Sequence, residues 1–281
     1  MAIPTINDAV AGARPLVAMG KVATGTLVAG RPFSLWTLAG NPGAGAAAAN
    51  TAGGVVPTSA TAGALSRGNP ASGEAHLLNW TAGSSAQPGT LLLCDRLLHI
   101  QGNSGGTAID ETLTTSQTIN STTLPSRCPT SAVDDTPVTT GYSVLMGVEV
   151  VTATGAGTPT LTLGYTNSAG TASRSATNLD ATVATSAAGT FYRIGLQAGD
   201  VGVRSIQTYQ QSATWTSGQL NLVLYRVIAA APILAAGVPA PLDWVSGGGP
   251  RIYNDSCLFF IFVPSTTTTT LISGWSQETS G

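Results

Sequence analysis

From residue 74 onward the chain alternates short apolar or half-apolar runs with clusters of Gly, Pro, Asn and Ser. That spacing is the signature of successive strands joined by turns. The runs cover residues 76–80, 90–100, 117–124, 142–152, 160–166, 172–177, 190–196, 201–210, 219–227, 256–263 and 270–275. In 160–166, Leu161, Leu163 and Tyr165 alternate with Thr160, Thr162 and Thr166, and Asn167-Ser168-Ala169-Gly170 supplies a turn into the next run. A β-hairpin is expected there. The preceding run, VLMGVEVV, joins it through TATGAGTPT, which predicts a three-stranded antiparallel meander.

Helical periodicity is slight, because residues 227–236 have suitable side chains but are broken by Pro232. Alternating strand and helix units are absent, which excludes doubly wound and TIM-type folds. The expected fold is all-β: an antiparallel β-sandwich, jelly-roll-like, over residues 73–281. Residues 1–72 read differently. The stretch NPGAGAAAANTAGGVVPTSATAGALSRGNPASG buries little and resists regular structure, so this part is expected to be an extended N-terminal arm and loop region. Within it, residues 28–38 carry Phe33, Leu35 and Trp36, enough to anchor a short strand. The pattern leaves open a second small domain within residues 1–140.

Charge changes this picture most. Only 24 of 281 residues are Lys, Arg, Asp or Glu, 9%, against roughly 25% in an ordinary domain. Lys21 is the sole lysine. A polar but nearly uncharged surface packs against neighbours without the desolvation cost of buried ions, which points to an assembly component. The net charge of −2 and singly scattered arginines give no basic stripe for nucleic acid. The longest apolar runs are far shorter than a membrane span, and the N-terminus lacks a secretory pattern, so neither a membrane nor an export route is expected.

Candidate chemistry is sparse. Cys94, Cys128 and Cys257 are odd in number and form no CxxC pair, so neither zinc nor a disulfide framework is expected; Cys94 and Cys257 read as small buried hydrophobes. The two histidines, His76 and His99, each fall inside a predicted strand. The acidic pairs Asp110-Glu111 and Asp134-Asp135 lie in predicted loops and read as solvated turn carboxylates, with loop-bound Ca²⁺ the lesser alternative. The glycine-rich stretches GNPGAG and GAGTPT open no helix after a strand and read as loops. No metal, no cofactor and no catalytic residues are expected. Of the five tryptophans, Trp215 in SATWTSG and Trp244 in PLDWVSGGG are the expected exposed aromatics.

The strings VAGRPFSLWTLAGNPGAGAA, LLLCDRLLHIQG, QTINSTTLPSR, VEVVTATGAGTPTLTLGYTNSAGTASRSAT, GTFYRIGLQAGDVGVRSIQTYQQSATWTSGQLNLVLYRVIA and CLFFIFVPSTTTTT together resemble a family of structural proteins of tailed bacteriophages. The resemblance runs over nearly the full chain, with residues 154–204 its most distinctive part. It implies a virion component made in the host bacterial cytoplasm, and no enzyme. Together with the low charge, the leading expectation is a capsid decoration or cement protein on the capsid surface. Its partners would be the major capsid protein and copies of itself, as a trimer or other cyclic oligomer. Phe33, Leu35 and Trp36 would be inter-subunit anchors on an arm reaching a neighbour. The alternatives are a tail fibre, spike or baseplate subunit that binds a host glycan, with Trp215 facing outward; the major capsid protein itself; and a cell-wall hydrolase.

Overall fold

The computed structural model describes Ile3 and residues 5–281. In chain order the elements are α1 (Ile6–Ala11), β1 (Val17–Lys21), β2 (Phe33–Ser34), β3 (Gly40–Asn41), β4 (Ala75–Ser84), β5 (Gly89–Ile100) and β6 (Gln117–Thr118). There follow β7 (Leu145–Thr152), β8 (Leu161–Asn167), β9 (Arg174–Thr177), β10 (Phe191–Ile194), β11 (Val203–Gln211) and β12 (Gln219–Ile233). The chain ends with β13 (Ala240–Asp243), α2 (Trp244–Gly247), β14 (Arg251–Ile252), β15 (Leu258–Pro264) and β16 (Ile272–Ser280). The protein is therefore all-β, as its pattern predicts, and it is built of antiparallel sheets.

Two compact units share the chain. The first comprises Met1–Gly45, Thr58–Asp95 and Val227–Gly281; the second comprises Ala46–Pro57 and Arg96–Arg226. Residues 1–72 thus contribute to both, a division different from the expected one at residue 72. The long strands β5 and β12 each begin in one unit and end in the other.

In the first unit, strands in the order β13-β4-β16-β1-β3, with β14 also on β4, form one sheet. The start of β5 pairs with β15, which pairs in turn with β2. Alternation sends Trp80 and Ala82 of β4, Leu91 and Leu93 of β5, and Phe260 and Phe262 of β15 into one core. Ala229, Ala231 and Ile233 join them from the end of β12, where a period-two pattern continues through Pro232. The residues read as a broken helix are strand for this reason: every second side chain is buried.

The expected arm is part of this unit. β1 pairs with β16 from Val17 to Lys21, and Phe33 and Ser34 pair with β15. Trp36 lies edge-on to Phe259 at 6.2 Å between centroids. A Cβ added to Gly45 or Gly63 would run into the Trp36 ring, so the glycine-rich segments order themselves by lying on this indole. The correction has a simple cause: a segment poor in its own apolar surface takes its order from one large side chain of the same chain.

In the second unit, β7 lies between β10 and β12, and a four-stranded sheet runs β6-β11-β8-β9. The β8–β9 hairpin forms as expected, with Gly170 at φ 88 and the Asn167 side chain accepting from the Thr171 amide. The meander does not. β7 pairs with β10 and β12, while β8 pairs with β11, so the TATGAGTPT segment connects strands of different sheets. The reason is burial: seven consecutive residues of β7 from Leu145 are buried or half-buried, as a central strand requires, and its partners come from later in the chain. The run at 117–124 shrinks to β6 because Asn120 takes a positive φ of 48. Leu161, Leu163, Tyr165, Ile206, Tyr209, Leu222 and Leu224 meet in a second core.

Residues 46–57 enter the second unit by hydrogen bonds rather than apolar bulk. Val55 bridges His99, the Ala48 amide donates to Asn221 Oδ1 at 3.3 Å, and the Pro57 carbonyl accepts from Arg127 at 3.0 Å.

Candidate functional site

The aromatic and apolar residues expected to face outward are inside. Phe33, Leu35 and Trp36 are at most 2% exposed within the single chain, so their side chains hold their own core and offer nothing to a neighbour. Trp215 is fully buried, against the expectation of exposure. Its polar sequence surroundings conceal a stacking contact with Tyr192 at 6.0 Å and a hydrogen bond from Nε1 to the Val183 carbonyl at 3.0 Å. Trp244, at the start of α2, is half-buried against His76, 5.7 Å away.

The titratable groups sort in the same direction. On β5, Arg96 reaches Glu149 of β7 through two hydrogen bonds of 3.0 and 2.7 Å, and neither side chain has any exposure. Asn221 of β12 donates to the same carboxylate at 3.1 Å, and Arg96 Nε donates to His99 Nδ1 at 3.2 Å. Burial, reinforced by the Arg96 charge and opposed by Glu149, drives the His99 pKa down to about 3, so the ring is neutral at physiological pH. This group of residues resembles a catalytic cluster in content, but it has no opening to solvent and its ionised members satisfy each other.

In the first unit Lys21 is 4% exposed, and Nζ donates to the carbonyls of Leu38, Pro42 and Gly43 at 3.0, 2.7 and 3.3 Å. Burial lowers its pKa to about 8, which leaves it an ammonium at neutral pH. It clips the turn that leads into β3. His76 packs in β4 with Nδ1 2.9 Å from the Gly249 carbonyl.

The acidic pairs stay in loops. Asp110 accepts from the Thr112 amide at 2.9 Å, and Asp134 accepts from the Thr136 amide at 3.0 Å; hydrogen bonding to the Thr136 side chain and then to its amide lowers the Asp134 pKa. Both are turn-forming contacts. All three cysteines are buried and form no disulfide. Among the described residues no three His, Cys, Asp or Glu side chains are grouped to hold a metal, and no helix is long and apolar enough to cross a membrane.

Eight of the 24 charged residues are buried, a third of an already small number. Several others pair nearer the surface, as Arg174 does with Asp200 at 3.0 Å and Arg251 with Glu74 at 2.7 Å. Although burial pushes the Asp200 carboxyl up, hydrogen bonds from Arg174, Tyr165 and Asn167 prevail and hold its pKa at about 2. The exposed surface also carries large apolar side chains, among them Val133, Leu234 and Val245.

Two surfaces stand out. In the second unit a hollow of about 390 Å³, open to solvent, is walled by Ser and Thr hydroxyls, among them Thr122, Thr123, Thr139 and Thr140, with Arg204 at one side. In the first unit, the outer side of β13, β4, β16 and β1 carries Trp275, 37% exposed. The sequence holds a signal for this face: in 271–277 the outward positions Leu271, Ser273, Trp275 and Gln277 contain no ionised group.

No protein-family model matches the chain, and no curated protein does. Among solved structures, it aligns with the VP2 protein of infectious bursal disease virus. One alignment, to a variant VP2 in T=1 particles, is 11% identical over 99% of this chain and 80% of that one, with a TM-score of 0.18. A second, to a VP2 subviral particle, is 12% identical over 96% of this chain and 81% of that one, with a TM-score of 0.19. Scores this low carry no argument about fold or role.

Proposed function

We propose that this chain is a structural component of a tailed-phage virion, and specifically a capsid decoration or cement protein that binds the major capsid lattice. The observation that carries the reading is the placement of charge: a chain already short of ionisable residues keeps a third of them inside. A surface so depleted of ions loses little hydration when it is covered permanently. The resemblance to phage structural proteins supplies the setting, and the strand-rich fold suits a rigid subunit. The tail alternative loses its main support, since Trp215 is buried and cannot stack on a glycan.

Immunogold labelling of intact virions with antibody to this chain tests the proposal. Label spread over the head at high and constant density is the expected result. Label confined to the tail tip would overturn it and favour host-surface binding.

A further inference from the structure

The hydroxyl-walled hollow of the second unit is built beside an irregularity in β11. Val203 pairs with Asn167 and Ser205 with Thr166, so Arg204 is an extra residue without a partner on β8. A bulge of this kind re-aims the side chain it carries. The guanidinium comes to rest at the β8–β9 turn, where Nη2 donates to the Ser168 carbonyl at 3.2 Å. Its Nε is buried and makes no hydrogen bond. Arg174 and Arg193 each meet a carboxylate, whereas Arg204 meets none among the described residues.

The walls are held by backbone groups, which leaves their hydroxyls to the hollow. The Ser121 amide donates to the Ile206 carbonyl and its Oγ accepts from the Ile206 amide, both at 2.9 Å. The Thr122 amide donates to the Gly53 carbonyl at 2.8 Å. Thr139 and Thr140 lie between two backbone bridges, Cys128 with Val138 and Tyr142 with Gly202. Among the described residues, the side-chain hydroxyls of Thr122, Thr123, Thr139 and Thr140 have no partner, and neither a carboxylate nor an aromatic ring lines the hollow.

We propose that this hollow binds a sugar unit bearing one carboxylate, such as a uronate or sialate residue of an acidic polysaccharide. Arg204 takes the carboxylate, and the threonine hydroxyls, each able to donate and accept, take the ring hydroxyls. The volume of about 390 Å³ falls in the range of small-ligand sites. One guanidinium balances one negative charge, which favours a carboxylate over a doubly ionised phosphate. A nucleotide base would find no aromatic face to stack on. A protein carboxylate would use Arg204 alone and leave the hydroxyl walls to water. Because the walls are anchored before any ligand arrives, binding orders little of the chain. The site does not depend on whether the chain sits on a head or a tail, so its failure and that of the role proposed above are separable.

Calorimetric and amide-NMR titrations of the full chain with the methyl glycosides of glucuronate, galacturonate and N-acetylneuraminate test the site, with methyl glucoside, acetate and phosphate for comparison. At least one acidic sugar is expected to bind with a Kd of about 1 mM, moving the amide signals of residues 121–123, 139–140 and 204–205. Methyl glucoside, acetate and phosphate should each bind at least about tenfold more weakly. Arg204→Gln should weaken the acidic sugar at least about tenfold. Thr139 is exposed, so Thr139→Val should keep the wild-type melting temperature while weakening the sugar about two- to tenfold. No binding by any of the acidic sugars at tens of millimolar, acetate or phosphate binding as tightly as they do, or an unchanged affinity in Arg204→Gln would overturn the proposal.

Discussion

Two buried basic groups, Arg96 in the second unit and Lys21 in the first, are held in opposite ways. The second unit neutralises Arg96 with a carboxylate, using two strands and Asn221 to complete the bonding. In the first unit, among the described residues, Lys21 meets three backbone carbonyls in place of a carboxylate. The units differ outside as well. Of the large apolar residues exposed among the described residues, the first unit holds eleven, including Ile6, Val10, Leu234, Val245 and Trp275, and the second only Val55, Val133, Leu179 and Val201. The lesson is that low charge is used for two purposes: to make a specific polar core in one unit, and to leave an uncharged sheet face in the other.

Removing one side of the buried ion pair should have the largest effect. Glu149→Ala strands a guanidinium that has no exposure, and a loss of about 3–5 kcal/mol in urea unfolding is expected. Adding Arg96→Met should recover much of that loss; a double variant no more stable than Glu149→Ala would show that packing, not charge, holds this site. Close behind, Trp215→Ala is expected to cost about 3–5 kcal/mol through the cavity left beside Tyr192. A near-neutral result by thermal melting would instead restore Trp215 to the surface.

Lys21→Met should cost less, about 1–3 kcal/mol, because it leaves carbonyls of the 38–43 turn without a donor. Hydrogen exchange in that turn should quicken with it.

The smallest effect is a change of slope with pH, and it separates the units directly. His99 has a folded pKa near 3 against an ordinary 6.5, so the unfolded chain takes up a proton the folded one refuses. Stability should therefore rise with pH between about 3 and 6.5, and His99→Gln should flatten that rise. Lys21, lowered from 10.5 to about 8, contributes a rise between those values that Lys21→Met should abolish. Melting curves across both windows check the two slopes; variants whose slopes match the wild type would exclude these groups as the cause.

Much of the fold is legible in the residues. Leu161, Leu163 and Tyr165 alternate with threonines and do form β8, because a half-buried strand imposes a period of two. The cysteines embedded in apolar runs are buried. Three further readings fail, each because the deciding contact is distant in sequence. Trp215 stands among Ser, Thr and Gly, yet Tyr192 and Val183 cover it. Phe33 and Trp36 look like anchors awaiting a neighbour, yet β15 supplies that neighbour from more than 200 residues later. β7 and β8 are consecutive but belong to different sheets.

By itself, then, the order of residues determined the strand-rich class, most strand positions, the β8–β9 turn and the scarcity of charge, since each depends on local periodicity or simple composition. Only the tertiary structure decided which strands pair, how the N-terminal segments divide between two cores, which tryptophans meet water, and that Arg96, Glu149 and Lys21 lie inside. These depend on contacts between residues tens to hundreds of positions apart, where burial free energy and hydrogen-bond satisfaction outweigh every local preference.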